Sequence, residues 1–189
     1  MKEQFYDQDF SAETPLVDLK KGEYESCRFH KMDFSGFNFS GYHFTDCEFR
    51  DCNLSMVKLG NASLKSARFY HCKLLGLHFH DAEEFLFAVY FENCQLNLAS
   101  FYQRKMKGTK FLNCSLQECD FSNADLSNAS FLQCDLSGAV FDGTNLEKAD
   151  LSTALHFSID PEKNKIKDAL FSRNNVYGLL HHLRIKIID

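Results

Sequence analysis

The chain has 189 residues and a net charge of −5, which is too small to indicate a nucleic-acid or membrane partner by itself. Its apolar runs are far shorter than a bilayer span, and no basic segment followed by an apolar run resembles a signal peptide, so we expect a cytoplasmic protein. Phenylalanine occurs 20 times and tryptophan is absent, and this compositional bias is a reason to look for an internal repeat.

Residues 1–18 show no regular spacing of apolar residues. Phe5 and Phe10 suit either a covering segment or a first strand. Because a repeat protein needs a cap over its open end, we predict an N-terminal cap over residues 1–18.

The main part of the chain repeats with a period of five. A large apolar residue returns at every fifth position from Leu19 to Phe79, and again from Leu86 to Leu151. Five is neither the 3.6 of a helix nor the 2 of a flat strand. We call these large residues the centres and predict that their side chains point inward. Because the phase slips by two residues after Phe79, we place a register break at 80–85.

The cysteines indicate how the repeats stack. All eight lie two positions before a centre, where strand alternation predicts an inward side chain. They are Cys27, Cys47, Cys52, Cys72, Cys94, Cys114, Cys119 and Cys134. Cysteine acts here as a small inward hydrophobe, so we predict buried free thiols without metal. Since several of these cysteines recur at intervals of twenty, a turn comprises four pentapeptides and the chain makes about seven turns.

Arg104 falls on an inward position, where an unpaired charge is costly. We therefore predict that residues 102–108 bulge outward. Six glycines lie two positions after a centre, where a corner needs a permissive backbone. They are Gly36, Gly41, Gly76, Gly108, Gly138 and Gly143.

Histidines raise the question of a metal site. His78 and His80 flank Phe79 and therefore point outward on one face, and His71 lies earlier in the repeat region. A metal site needs a third convergent ligand, and the pattern does not supply one. We predict no metal and no cofactor.

The sequence lacks the common motifs of catalysis. It contains no Gly-x-Ser-x-Gly turn, no phosphate loop and no dinucleotide fingerprint. A core filled by stacked side chains leaves no deep pocket for a substrate. We predict that the protein is not an enzyme.

Charge is unevenly distributed along the chain. Residues 58–80 and 102–112 each contain four basic residues and no acid, whereas residues 113–162 hold nine acids and one lysine. A solvated surface accounts for mixed charge, and the two basic patches receive no assigned role. The acidic part is a candidate partner-binding surface. Its residues are Glu118, Asp120, Asp125, Asp135, Asp142, Glu147 and Asp150.

The last segment, residues 154–189, loses the five-residue phase. Asp160 and Pro161 suit the start of a turn or helix. Farther on, three leucines suit a short α-helix and two isoleucines alternate as in a strand. This apolar end either caps the last turn or forms a dimer interface. The candidate interface residues are Leu179, Leu180, Leu183, Ile185 and Ile187.

The repeat itself, as in Ala124-Asp125-Leu126, resembles the A-(D/N)-L-x-x consensus of pentapeptide-repeat proteins. The match covers residues 19–153 and is most regular between 119 and 153. The resemblance implies an all-β fold, a right-handed quadrilateral β-helix. The chain is thus divided into a cap, a solenoid and a C-terminal segment.

The tail from Leu179 to Ile188 is similar to the ending of the quinolone-resistance (Qnr-like) branch of that family. This resemblance implies a DNA-mimic rod that binds DNA gyrase or topoisomerase IV, protects it from fluoroquinolones and dimerises through its C-terminus. Direct binding of nucleic acid is not expected. The alternative hypothesis is a generic protein–protein interaction scaffold, or an immunity protein, with another partner.

Overall fold

Short strands of three or four residues build the molecule. The computed structural model describes residues 3–186 and residue 188, and eleven strands lie within them. They are β1 (Glu3–Tyr6), β2 (Asp9–Ser11), β3 (Gly22–Glu25), β4 (Arg28–His30), β5 (His43–Thr45), β6 (Glu48–Arg50), β7 (Ser63–Lys65), β8 (Ala67–Tyr70), β9 (Val89–Glu92), β10 (Lys110–Leu112) and β11 (Ser130–Leu132).

The strands form two parallel sheets. β1, β3, β5 and β7 make a four-stranded sheet, and the other strands make a seven-stranded sheet in the order β11-β10-β9-β8-β6-β4-β2. Phe29 pairs with Phe49, and Phe49 pairs with Phe69. Each strand therefore pairs with its equivalent one turn away, and the chain is the predicted parallel β-solenoid.

Two further sides of the solenoid are held by single bridges. One side contains the parallel bridge Asn53↔Lys73, and another contains Ser100↔Asp120. These bridges have the same spacing as the strand pairs. A turn therefore has four sides, as predicted.

The coil has about six turns in regular strands, where the sequence predicted about seven. Six turns separate the seven strands of the longer sheet. After β11 the same ladder continues through the single bridges Ser130↔Asp150 and Asp150↔Leu170, without a further strand. The right-handed sense of the coil stays a prediction.

The first described residues belong to the sheets. β1 pairs with β3 and β2 pairs with β4. The ring of Phe5 stacks on Tyr24 with centroids 4.5 Å apart, and Phe10 stacks on Phe29 at 5.0 Å. Where the sequence placed a cap, residues 3–11 thus add one strand to each sheet.

Phenylalanine rings stack in columns along the core. Phe121 lies between Phe101 and Phe141, with ring centroids 5.2 Å from each. Phe111 and Phe131 belong to the next column, and their centroids are 5.0 Å apart. Rings of the two columns meet edge to face, as for Phe121 and Phe131 at 5.8 Å. Both geometries are favourable for aromatic pairs, so the columns reinforce each other.

The small inward positions also carry hydrogen-bond donors. Cys47 Sγ donates to the carbonyl oxygen of Tyr24 at 3.3 Å, and Thr144 Oγ1 donates to that of Phe121 at 2.9 Å. In both cases the acceptor is the centre 23 residues earlier. A carbonyl oxygen has two lone pairs, and these donors use one that faces the core. The prediction that all eight cysteines are free and buried is confirmed.

The corners of the coil use left-handed backbone. The six glycines predicted at corners have φ between 62° and 75°. Asn123 and Asn128 occupy other corners, each with φ of 58°. Asparagine tolerates this region because its short polar side chain forms local hydrogen bonds. The corner assignment is therefore confirmed.

Two extra residues enter the coil between β8 and β9, and the inward residue there is Phe87. Leu86, which the sequence predicted as the centre, is 63% exposed. Ala67 pairs with Val89, so the offset between neighbouring turns is twenty-two residues at this point. The prediction that Leu86 is an inward centre is wrong, because the chain turns outward at Leu86 before it re-enters the coil.

The C-terminal segment forms two 3-10 turns, where the sequence predicted a short α-helix. They span Val176–Leu179 and His181–Leu183. The carbonyl of Gly178 accepts a hydrogen bond from the amide of Ile159 at 3.0 Å, and Gly178 packs against the Phe157 ring. That carbonyl is therefore committed to the last turn of the coil and is not used in an α-helical ladder.

Replacing Phe121 by alanine should open a hole in a stacked column. We expect Phe121→Ala to lower the free energy of unfolding by about 3–5 kcal/mol. Urea denaturation of the purified variant measures this value. As a control, Val140→Ala removes a side chain that is 48% exposed, and it should change the free energy by less than about 0.5 kcal/mol. Equal stability of the two variants would contradict the inward column.

Candidate functional site

Arg104 lies inside the coil and holds residues 80–88, which contain the two extra residues and which we call the inserted segment. Its side chain is 4% exposed, and Nε donates to the carbonyl oxygen of Phe79 at 2.8 Å. A second guanidinium nitrogen donates to the carbonyl oxygen of Ala82. The guanidinium carbon also lies 4.6 Å from the centroid of the Phe87 ring.

The predicted outward bulge of residues 102–108 is therefore wrong. Met106 stays buried, and the bridge Lys105↔Asp125 keeps its place in the ladder. The charge of Arg104 is accommodated because the carbonyl oxygens of Phe79 and Ala82 accept hydrogen bonds from its N–H groups, so the buried cation has partners. Burial lowers the pKa of Arg104 from its usual value.

The inserted segment exposes two apolar side chains. Phe85 is 71% exposed and Leu86 is 63% exposed. The ammonium nitrogen of Lys65 lies 5.3 Å from the centroid of the Phe85 ring. The five-residue period assigned Leu86 to the core, so this exposed pair was not predicted.

Many of the predicted acidic residues take part in corner turns. The carboxylate of Asp120 accepts a hydrogen bond from the amide of Ser122 at 2.9 Å, and Asp150 accepts one from Ser152 at the same distance. Asp125 and Asp135 accept equivalent hydrogen bonds, each from the backbone amide of the residue two positions later in the chain. These are Asx turns, in which the side chain mimics a backbone acceptor. The four carboxylates therefore shape the coil as well as its surface.

The candidate acidic residues encircle the coil. Asp120, Asp125, Asp135 and Asp150 lie on four different bridge columns. Each has a non-acidic residue before and after it in its column, as Asp125 lies between Lys105 and Asn145. Glu118 and Asp142 are exposed, and Glu147 is half-buried. We call the seven candidate residues the acidic belt, because they surround the C-terminal half and do not share one face.

Asp135 is the most strongly supported carboxylate of the acidic belt. Burial alone would raise its pKa, but hydrogen bonds from Ser137, Gln117 and His156 hold the pKa of Asp135 well below the usual range. Gln117 Nε2 lies 2.7 Å from Oδ2, and His156 Nδ1 lies 2.9 Å from Oδ1. Asp135 is therefore a charged acceptor at neutral pH.

Acidic side chains from other parts of the coil pair with basic residues of the segments 58–80 and 102–112. Arg68 lies 3.5 Å from a carboxylate oxygen of Glu48, which also binds Arg50 at 2.7 Å. Lys105 pairs with Glu84 in the inserted segment. With Arg104 buried, the basic residues of 102–112 do not form one continuous exposed patch.

The C-terminal segment both packs on the coil and presents apolar side chains outward. Leu179 is partly buried against the core, and Leu180 is half-buried. Leu183 and Ile185 are 52% and 55% exposed. Ile187, the fifth candidate, lies outside the described residues. The two alternatives from the sequence, a cap and an interface, are thus compatible with one segment.

Surface depressions among the described residues have mixed polar and apolar linings. One of them has a volume of about 370 Å³ and is lined by residues such as Asn113, Gln133 and Asp135. The cysteine thiols are buried, and burial raises the pKa of Cys119 to about 12.

No described helix could span a membrane.

Two family models match the chain. A model described as a pentapeptide repeat region matches residues 23–101. A model described as pentapeptide repeats matches residues 94–133 and 119–155. Together they span residues 23–155, which is most of the chain. Among curated proteins, no match was found.

Solved structures also resemble the chain. One form of QnrB1, a plasmid-mediated fluoroquinolone resistance protein, is 23% identical, with coverage of 99% of this chain and 100% of that chain and a TM-score of 0.48. HetL, a pentapeptide repeat protein involved in heterocyst differentiation regulation in the cyanobacterium Nostoc sp. strain PCC 7120, is 16% identical. Its match covers 90% of this chain and 84% of that chain, with a TM-score of 0.42.

The Arg104 tether predicts a specific defect on its removal. Arg104→Met keeps the length of the side chain but removes the donors to Phe79 and Ala82. We expect the free energy of unfolding to fall by about 2–4 kcal/mol, because the charged hydrogen bonds are lost. We also expect faster amide hydrogen exchange in residues 82–88, measured by mass spectrometry.

A nearby exposed residue supplies the control for this test. Lys107→Ala shortens an exposed side chain that does not belong to the tether, and it should leave both the unfolding midpoint and the exchange of residues 82–88 nearly unchanged. If Arg104→Met behaves like this control, the guanidinium does not hold the inserted segment.

Proposed function

The chain belongs to the pentapeptide-repeat family, and from this premise we propose that it is a non-enzymatic binding protein that acts through the outer sides of its solenoid. Members of this family are generally structural or binding proteins. The proposal concerns a protein partner and does not include direct binding of nucleic acid.

One observation carries the proposal: the interior is filled, so recognition must occur outside. Stacked rings and thiols occupy the inward positions, and the fully buried side chains include Phe101, Phe111 and Phe121. The surface depressions lie outside this filled core and have mixed polar and apolar linings. A rod with filled core and four outer sides offers a broad contact surface without a substrate pocket.

We further propose that the partner is DNA gyrase or topoisomerase IV and that binding protects it from fluoroquinolones. Residues 113–162 make about two and a half turns, or about 12 Å at the spacing of paired strands. A duplex of that length carries about 7 negative charges. The segment holds nine acidic residues and one lysine, so its charge density is close to that of DNA.

The distribution of the acidic belt supports the same hypothesis. Phosphates surround a duplex, and the carboxylates of Asp120, Asp125, Asp135 and Asp150 lie on all four sides of the coil. A surface that normally receives DNA could therefore meet negative charge from any side of this segment. The N-terminal half does not share this property, since acids and bases alternate along Arg28, Glu48 and Arg68.

We also propose that two copies join through their C-terminal segments. The exposed side chains of Leu183 and Ile185 would be covered by a second copy. The two acidic segments would then lie on either side of the paired C-terminal segments, whose residues 163–189 include six basic and two acidic residues. Together the two acidic segments would measure about 24 Å, twice the value for one copy at the strand spacing.

The alternative function is an interaction scaffold or an immunity protein with another partner. The inserted segment favours it, because Phe85 and Leu86 present apolar surface that has no counterpart in a duplex. Exposed aromatic side chains are common anchors in protein interfaces.

The gyrase hypothesis predicts protection in a supercoiling assay. Purified protein at micromolar concentration should restore supercoiling by gyrase in the presence of ciprofloxacin. Asp142→Lys combined with Glu147→Lys should weaken protection about tenfold, because it reverses charge in the acidic belt without altering an Asx-turn carboxylate. Circular dichroism should show an unchanged fold.

The control reverses charge elsewhere. Glu13→Lys changes an exposed acid outside the acidic belt and should protect as well as the wild type. If the wild type has no effect on gyrase or topoisomerase IV, with or without the drug, the topoisomerase hypothesis is wrong and the scaffold hypothesis is favoured.

The dimer hypothesis predicts a change in mass. Leu183→Asp combined with Ile185→Asp should convert a dimer to a folded monomer, because charged groups resist burial in an apolar interface. Light scattering gives the mass directly. Val140→Asp, on a side of the coil, is the control and should stay dimeric. A wild-type protein that is monomeric at all concentrations tested would contradict the dimer.

A further inference from the structure

Three potential metal ligands meet at the start of the inserted segment. They are His78, His80 and Asp81, which are all exposed. One ligand atom from each lies within 4.8 Å of those of the other two. In the part of the chain that the structure describes, this is the one such group of three or more His, Cys, Asp or Glu side chains.

The local backbone explains why these side chains converge. Phe79 is fully buried, so alternation directs His78 and His80 to the outside, with ring centroids 5.2 Å apart. The chain then forms a 3-10 turn at Phe79–Asp81, closed by a bond from the amide of Ala82 to the carbonyl of Phe79. The turn brings Asp81 Oδ1 to 3.5 Å from His80 Nε2.

The turn is anchored before any ion binds. The Phe79 ring stacks on Phe101 with centroids 4.5 Å apart and planes inclined by 6°. Arg104 bonds the carbonyls of Phe79 and Ala82, which lie at the two ends of the turn. Ligands on a backbone held in this way need little reorganisation to bind a metal.

A second contact orients one imidazole. His80 Nδ1 lies 3.1 Å from Ser100 Oγ on the next turn of the coil. When Nδ1–H donates to this oxygen, the lone pair of Nε2 faces Asp81. Metal-binding histidines commonly use their other ring nitrogen in such a hydrogen bond, which selects the tautomer.

We propose that His78, His80 and Asp81 bind a divalent first-row transition ion of the zinc class. Two imidazole nitrogens and one carboxylate oxygen are ligands that Zn²⁺ accepts, and water would complete its coordination. Calcium and magnesium prefer sets of oxygen ligands, so they are not expected to bind here. The ion would link the last regular repeat before the break to the inserted segment.

Direct titration tests the site. Protein freed of metal by a chelator should bind one equivalent of Zn²⁺ by calorimetry. Co²⁺ should give the visible absorption of a low-symmetry nitrogen and oxygen site. His78→Ala and Asp81→Asn should each weaken Zn²⁺ binding by about tenfold or more, as expected when one of three ligands is lost. Zn²⁺ should also raise the melting temperature of the wild type.

A histidine two repeats earlier provides the matched control. His71 is exposed at a corner with φ of 55°, and asparagine suits that conformation. His71→Asn should bind Zn²⁺ like the wild type. Absence of saturable Zn²⁺ binding would overturn the proposal. Unchanged affinity in the His78→Ala/His80→Ala double variant would also overturn it, since the ion would then bind elsewhere, for example at the C-terminal histidines.

Discussion

The twenty-residue register between parallel turns is the constraint on which the structure depends. It stacks each inward side chain on its equivalent, so Phe101, Phe121 and Phe141 form one column. A shift by one residue would turn every inward side chain outward. Corners with left-handed backbone keep each side short enough for this register to hold. The core and the positions of surface charges are both consequences of the same register.

The surface and the scaffold are not separate in this molecule. Carboxylates that surround the C-terminal half also accept hydrogen bonds from backbone amides at the corners, as Asp120 does from Ser122. The inserted segment carries exposed apolar side chains, yet it is held from inside by Arg104. Surface features that could contact a partner are thus positioned by the same hydrogen bonds that close the turns.

The five-residue period was sufficient to predict the four-sided coil, the inward cysteines and the corner glycines, because these depend on contacts that repeat at constant spacing. Leu86 and Arg104 were mispredicted because the insertion breaks that spacing, and its path depends on which carbonyls a guanidinium reaches in three dimensions. Asp81 was missed for a related reason, since a 3-10 turn brings it to His80. The acidic residues were found from composition, but their distribution around four sides followed only from the bridge columns.

The constant offset between paired strands also bears on how the chain folds. Because each turn closes a loop of about the same length, the entropic cost of adding a turn does not grow as the coil lengthens. Folding can therefore begin at any regular turn and spread to its neighbours. The turn with the two extra residues is different, since it must close a longer loop and enclose the cation of Arg104. We therefore expect this turn to form more slowly than its neighbours, because the cation of Arg104 must leave water when the turn closes.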